Sequence, residues 1–209
     1  MSDSMWPVLS DAERDQWDAV PLVGVGPLLF GMTRGQVDAA LDYLPTVSGG
    51  DFASYSSPQI WGDRLTAYFR PATEDDTPPD APGRAVPGQI DDGHEYWPGQ
   101  RFGGVLAAVA IDARVGPQVR WDGLALTGQV PSVTDDALYA RVKERGLDQE
   151  IRISQAGDYS YVDVGILLRV QRAGDILLTR PVFAAPAWTD RLGDTSEGPL
   201  PPQEWHTHA

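Results

Sequence analysis

The side chains best suited to acid–base or metal chemistry lie in stretches without helix or strand periodicity. The three histidines are His94, His206 and His208. His94 follows Asp91 and Asp92, and carboxylates beside an imidazole can bind a divalent metal or activate water. Their spacing matches no helix-borne or structural metal motif, and an irregular loop holds ligands poorly. We therefore expect no metal and no other cofactor, and keep a metal-dependent hydrolase that uses His94 as an alternative.

The motifs of nucleotide-binding and nucleophilic enzymes are also missing from the sequence. Gly24-Val25-Gly26 lacks the third glycine and the helix start of a dinucleotide fingerprint. Neither a Gly-Lys-Ser/Thr phosphate loop nor a Gly-x-Ser-x-Gly nucleophile turn occurs, and the chain has no cysteine. The residue types therefore predict a protein that is not an enzyme and has no catalytic residues.

The charge balance restricts the partners. The 209 residues include 30 acidic and 16 basic side chains, a formal net charge of -14. Such a chain repels phosphate backbones and anionic membranes, so we expect neither nucleic acid nor a membrane as partner. It attracts basic surfaces, although many acidic proteins have no electrostatic partner. With no signal peptide at its start and no apolar run of membrane-spanning length, the sequence predicts a cytoplasmic location.

One stretch, 23–44, combines a glycine-rich extended segment with a well-signalled helix, VGVGPLLFGMTRGQVDAALDYL. Thr33 and Gln36 have the spacing of a capping box, which predicts a helix start. The apolar residues that follow are spaced as one stripe of a helix: Val37, Ala40, Leu41 and Leu44. This stretch therefore predicts a strand-like segment followed at once by a helix that packs on a core.

Within it, Phe30-Gly31-Met32-Thr33-Arg34 followed by Gln36-Val37 resembles the opening of the repeat in beta-lactamase inhibitory proteins and in the related small outer-membrane assembly lipoproteins. It is also similar to an actinobacterial group of immunity proteins against secreted toxins, which opens with Gly-Pro-Leu-x-Phe-Gly-Met. The resemblance covers about a tenth of the chain. It implies a helix on one face of an antiparallel sheet and a protein partner on the other face or its loops. Because the inhibitors and lipoproteins are exported and this sequence shows no export signal, it favours the immunity-like branch; no functional residue of the inhibitors can be transferred.

Residues 71–103 are rich in acidic side chains and lack regular periodicity. Four prolines between Pro78 and Pro87 exclude helix and strand there. A loop of this length in a compact domain is usually functional or disordered. One interpretation is an acidic arm with aromatic anchors for a basic partner; the other is a solvated insertion between strands. The candidate partner-binding residues are Asp75, Asp76, Asp91, Asp92, Glu95, Tyr96 and Trp97.

A second candidate surface lies in 159–172, YSYVDVGILLRVQR, which alternates as one long strand. One face of that strand is apolar and is assigned to the core. The other face carries four candidate partner-binding residues, Tyr159, Tyr161, Asp163 and Arg169. Interfaces are enriched in tyrosine, which favours a partner on this face. The alternative is that the N-terminal helix or the acidic loop covers it.

These elements predict an α+β protein of two related helix-plus-antiparallel-sheet units with a long acidic loop. The predicted divisions are an N-terminal helix in 1–20, a first unit in 21–112 that includes the irregular loop 71–103, a second unit in 113–185 and a flexible tail in 186–209. A weak internal repeat supports the duplication, because Pro27-Leu28-Leu29-Phe30 and Gly123-Leu124-Ala125-Leu126 each precede a predicted helix. The second helix is expected at about 135–145, capped by Ser132 or Thr134.

Local signals add further predictions. Ser10 and Glu13 have the spacing of a capping box, which predicts that the N-terminal helix begins there and runs to about Val20. Turns are expected at Asp122-Gly123 and, in a tight hairpin, at Ala173-Gly174. The apolar run 105–112 is expected to be the most buried strand of the first sheet.

Together these features predict a bacterial, cytoplasmic protein-binding protein of the immunity, antitoxin or inhibitor kind. It would neutralise a cognate toxin or enzyme with a basic surface by occluding its active site. A small-molecule-binding module is the first alternative, and a structural component of a larger assembly is another. The sequence leaves the oligomeric state and the identity of the partner open.

Overall fold

The computed structural model describes residues 7–41, 45–46, 59–61, 64–71, 104–153 and 157–191. Within these ranges the structure has two α-helices and thirteen strands, and the strands form two sheets. The predicted α+β class is therefore confirmed. The helices are α1 (Arg34–Ala40) and α2 (Pro131–Glu144). The strands are β1 (Gln16–Val20), β2 (Gly24–Val25), β3 (Leu28–Leu29), β4 (Pro45–Thr46), β5 (Gln59–Trp61), β6 (Leu65–Pro71), β7 (Gly104–Ile111), β8 (Gln118–Trp121), β9 (Leu124–Ala125), β10 (Ile151–Ile153), β11 (Tyr159–Tyr161), β12 (Ile166–Ala173) and β13 (Ile176–Ala184).

The larger sheet has eight strands in the order β10-β11-β12-β13-β7-β6-β5-β4, and its neighbours are antiparallel. Strand β7 lies at its centre and is almost wholly buried, as expected for a near-continuous apolar run that is covered on both faces. In chain order, α1 precedes the four strands β4 to β7, and α2 precedes the four strands β10 to β13. These two sets of strands meet where β7 pairs with β13.

The smaller sheet, β3-β2-β1-β8-β9, overturns the predicted N-terminal helix. The capping box of Ser10 and Glu13 is present, but it starts only one turn of 3-10 helix, Asp11–Glu13. Residues 16–20 are strand β1, which pairs in parallel with β8 and antiparallel with β2. Local capping signals favoured a helix. In the fold, strands on both sides of β1 supply hydrogen-bond partners for its backbone amides and carbonyls, so the segment is a strand.

The main core lies where the two helices and the smaller sheet cover one face of the larger sheet, which we call the inner face. Val37 of α1, Leu138 of α2, Val119 of β8 and Phe183 of β13 are all buried in this cluster. A second cluster on the outer face contains Tyr68, Leu167, Val182 and Trp188. The large sheet is therefore packed on both sides.

Both helices differ in length from the sequence predictions. In α1 the capping box of Thr33 and Gln36 is confirmed, but the helix ends at Ala40, and Leu44 lies outside the described residues. Helix α2 begins at Pro131, several residues before the predicted start, because proline fits the first helical position. The Thr134 hydroxyl bonds back to the Val130 carbonyl instead of capping.

Two predicted hairpins are confirmed. Asp122 and Gly123 connect β8 to β9, and the loop between β12 and β13 consists of Gly174 and Asp175, one residue later than predicted. At the C-terminal end of the described chain, a 3-10 helix, Pro186–Arg191, places Trp188 in the outer-face cluster. The rest of the predicted tail, 192–209, lies outside the described residues.

Candidate functional site

The first candidate surface is the acidic arm predicted in 71–103. Its members Asp75, Asp76, Asp91, Asp92, Glu95, Tyr96 and Trp97 all lie outside the described residues, as do the three histidines. The acidic arm therefore stays a prediction.

The second candidate surface rests on a strand prediction that is wrong. Residues 159–172 form two antiparallel strands, β11 and β12, joined by a 3-10 turn at Val162–Val164. Gly165 closes the turn with a φ of 64°, a left-handed conformation that suits glycine. An added Cβ there would lie 2.6 Å from the Ala184 carbonyl oxygen. The chain reverses at this glycine, so the simple alternation of one long strand does not hold.

This reversal separates the four predicted residues. Tyr159 and Tyr161 pair with Leu168 and Ile166, so they share the inner face with those core residues. Arg169 alternates with Leu168, so its Cβ lies on the outer face of β12. The four side chains do not form one surface, because the turn changes which residues share a face.

Two of these residues have mainly structural surroundings. The Asp163 carboxylate accepts hydrogen bonds from the backbone amides of Gln149 and Glu150, at 2.8 and 3.2 Å, and so orders the segment before β10. The Arg169 side chain is 11% exposed, with its Nε 3.9 Å from the Asp158 carboxylate. Tyr159, by contrast, is 41% exposed.

Tyr161 is 1% exposed and fixes the start of α2 to β11. Its hydroxyl donates a 2.8 Å hydrogen bond to Oδ1 of Asp135. Burial, and then the hydrogen bond to Asp135, raise the pKa of Tyr161 far above its ordinary value, so the hydroxyl remains a donor. This contact joins a helix to a strand that is distant in sequence.

A cleft opens between the first turns of α2 and the inner face of the sheet; we call it the α2 cleft. Its volume is about 180 Å³. It is lined by Pro131, Ser132, Asp135, Gly157, Asp158, Tyr159, Leu168, Arg169, Val170 and Thr179. Pockets for drug-sized ligands run from about 300 Å³ upwards, whereas a cavity of about 150 Å³ holds a benzene molecule. The α2 cleft therefore has the size of one large side chain.

Exposed apolar side chains lie in and beside this cleft and form what we call the apolar rim. Its members are Val130, Ile153, Tyr159 and Val170, which are 41 to 63% exposed. Tyr159 and Val170 line the cleft, Val130 directly precedes the lining residue Pro131, and Ile153 is the cross-strand partner of Tyr159. Four of the twelve exposed large apolar side chains in the described part of the chain therefore lie at or next to the cleft.

Asp135 is the charged group on the helix side of the cleft. Burial raises its pKa, the Tyr161 hydrogen bond opposes that rise, and the neighbouring Asp136 carboxylate adds to it. The carboxylate is thus held where its anionic form is partly deprived of water. Sequence reasoning named Asp135 only as part of the helix start, since its surroundings come from β11 and β12.

A second charged group, Arg14, is buried near the N-terminal end and was missed by the sequence analysis. Arg14 is 5% exposed. Its guanidinium donates to four backbone carbonyl oxygens, those of Leu9, Ala113, Arg114 and Gly116, at 2.7 to 3.2 Å. Burial lowers its pKa, which Asp11 and Asp112 counteract. The residue fastens the first segment to the connection between β7 and β8.

The described residues include no group of three or more side chains suited to hold a metal ion. Among the helices that the structure describes, none has the length and apolar character needed to cross a membrane. The site that stands out in this part of the chain is therefore the α2 cleft with its apolar rim.

Comparison with known proteins gives no assignment: no family model, no curated protein and no solved structure matches the chain.

Proposed function

We propose that the protein binds another protein through the α2 cleft and the apolar rim. In this proposal it neutralises a cognate toxin or enzyme as an immunity or inhibitor protein, by covering its active site in the bacterial cytoplasm. The observation that carries the proposal is the grouping of exposed apolar residues around a cleft with the volume of one side chain. Protein interfaces commonly bury such anchors in pockets at their centre.

The charge of the chain supports a basic partner. With a net charge of -14, the protein attracts positively charged surfaces and speeds their encounter, and the effect weakens as salt screens it. Association should therefore slow as ionic strength rises, while the apolar contact limits the change in dissociation. An association rate that does not depend on salt would contradict this steering.

The element order supports the further proposal that the chain consists of two related units. Each helix precedes four consecutive strands of the large sheet, and the two sets are joined by the β7–β13 pairing. In that interpretation the α2 cleft belongs to the second unit, where a helix start lies against the sheet.

The test of the proposed function is affinity capture from the protein's own cells with three tagged chains: the natural sequence, Val170→Asp and Val20→Asp. Val170 is 49% exposed in the apolar rim, and Val20 is 55% exposed on β1 of the smaller sheet, so the two variants place the same charge on strands of similar exposure. We expect the natural chain and Val20→Asp to retain one basic protein in equal amounts, and Val170→Asp to lose it. Equal retention by Val170→Asp would show that the surface is elsewhere, and no retained protein at low salt would overturn protein binding itself.

A further inference from the structure

The walls of the α2 cleft differ in character. On the sheet side, Leu168 and Val170 stand two residues apart on the inner face of β12. Tyr159 lies beside them, since it pairs with Leu168. On the helix side lies Asp135, whose Oδ1 accepts the Tyr161 hydrogen bond. The cleft therefore offers two apolar side chains, an aromatic ring and, besides the paired charges of Asp158 and Arg169, one further negative charge.

We propose that the α2 cleft binds an arginine side chain supplied by the protein partner. This inference rests on the proposed function and specifies the partner's anchor. The methylene stem of the arginine lies along Leu168 and Val170, and the guanidinium reaches the Asp135 carboxylate and the Tyr159 ring.

The chemistry of arginine fits these walls better than that of other side chains. A purely apolar anchor would fill the cleft but would leave the Asp135 carboxylate desolvated with no opposite charge. A lysine brings a charge but cannot stack a planar group on the ring. A guanidinium does both, because it pairs with carboxylates and packs on aromatic faces. Arginine is also among the residues most enriched in interface anchors.

Other charges near the cleft leave this preference in place. Asp158 and Arg169 face each other at 3.9 Å, so they add little net charge. The start of α2 carries a positive dipole end, but that effect decays within the first turn, and Asp135 is the fifth residue of the helix. Arg172, two residues beyond Val170, is exposed, so water and salt screen its charge. Asp136 next to Asp135 adds a second negative charge.

The first test uses the full chain and three synthetic probes, acetyl-Gly-X-Gly-amide with X as arginine, lysine or citrulline. Citrulline has the shape of arginine without its charge. Binding is followed by NMR through the methyl signals of Leu168 and Val170. We expect the arginine probe to shift these signals with a millimolar dissociation constant, the lysine probe to bind more weakly, and the citrulline probe to bind at least about ten times more weakly. Equal shifts by arginine and citrulline, or no shift with either, would overturn the inference.

Two variants test whether Asp135 supplies the negative charge that binds the arginine probe. Asp135→Asn keeps an oxygen that can accept the Tyr161 hydrogen bond, so the fold is preserved while the negative charge is lost. Asp175→Asn removes an exposed acid from the β12–β13 loop as a matched control. Asp135→Asn should weaken binding of the arginine probe about tenfold, and Asp175→Asn should leave its dissociation constant unchanged. Equal effects of the two variants would contradict a role for Asp135. If Val170→Asp abolishes capture of the partner but Asp135→Asn does not weaken it, the proposed function stands and the arginine anchor is wrong.

Discussion

Arg14 and Asp135 are both charged groups partly or wholly removed from water, and the fold treats them differently. Arg14 is 5% exposed and donates to four carbonyl oxygens. Asp135 accepts one side-chain hydrogen bond, from Tyr161, and borders an open cleft. One charge is satisfied within the chain, whereas the other keeps part of its binding capacity for a group from outside.

Charged groups with a structural role and charged groups open to a partner differ in how the chain satisfies them. A buried ion that is fully hydrogen-bonded within its own chain holds segments together, and its removal leaves unsatisfied acceptors. A partly buried carboxylate beside an apolar cleft lowers the stability of the fold, because burial disfavours its anionic form. An opposite charge or further hydrogen bonds can compensate for that cost.

Replacing Arg14 by leucine should have the largest effect on stability. Four buried or half-buried carbonyl oxygens would lose their donor, and we expect the free energy of unfolding to fall by about 4 kcal/mol. Arg14→Lys keeps the charge but cannot match the guanidinium geometry, so about half of that loss is expected. Urea unfolding measures both, with exposed Arg172→Leu as the control that should change stability by less than about 0.5 kcal/mol. A loss below about 1 kcal/mol for Arg14→Leu would show that the carbonyl contacts are not structural.

Replacing Tyr159 by alanine should affect binding more than folding. Loss of the ring from the cleft is expected to weaken binding of the captured partner by about 2 kcal/mol, which is roughly thirtyfold in affinity. Tyr139→Ala is the matched control, because Tyr139 is 43% exposed and lies on α2, whereas Tyr159 is 41% exposed. Titration calorimetry with the purified partner should separate the two variants. Equal affinities would remove Tyr159 from the binding surface.

Replacing Tyr161 by phenylalanine should cost about 1 kcal/mol of stability, because the buried ring stays while the hydrogen bond to Asp135 is lost. Urea unfolding of Tyr161→Phe, Asp135→Ala and the double variant gives the coupling between the two side chains. A coupling near zero would mean that the 2.8 Å contact contributes nothing to the position of α2.

Replacing Asp135 by asparagine should have the smallest effect on stability, and the size of the effect depends on pH. Burial raises the pKa of Asp135 in the folded chain. Below its ordinary pKa of about 3.9, the carboxyl is neutral whether the chain is folded or unfolded. As pH rises, the unfolded chain releases this proton first, so stability from this group falls until the folded carboxyl also ionises. Asparagine cannot ionise and escapes that loss.

We therefore expect Asp135→Asn to gain stability relative to the natural chain between pH 4 and pH 7, by less than about 1 kcal/mol. Thermal unfolding of both proteins across this pH range gives the difference in their stability. The contributions of the other titrating groups cancel in that difference, because both proteins contain them. Lower stability of Asp135→Asn at pH 7 than at pH 4, relative to the natural chain, would mean that the carboxylate is favoured by its surroundings and would remove the contrast with Arg14.

Much of the local structure was predictable from sequence because its causes are local. The capping box of Thr33 and Gln36, the Asp122-Gly123 turn and the buried strand β7 depend on neighbouring residues and on apolar content. The same reasoning failed at 10–20, where a helix signal gave way to β1. The partner strand β8, which decides this first case, is far away in sequence. The reasoning failed again at 159–172 for another reason: β11 and β12 pair locally, but Gly165 reverses the chain inside an apolar alternation that continues on both sides of it.

The α+β class, the acidic charge and the apolar segments that build the sheets were predictable from the chain alone, since they follow from composition and short-range periodicity. Which side chains meet depends on the tertiary structure. Asp135 reaches Tyr161 across 26 positions, and Arg14 reaches Gly116 across 102. Contacts at such separations leave no periodic trace in the chain, so neither the α2 cleft nor the Arg14 contacts could be derived from spacing alone.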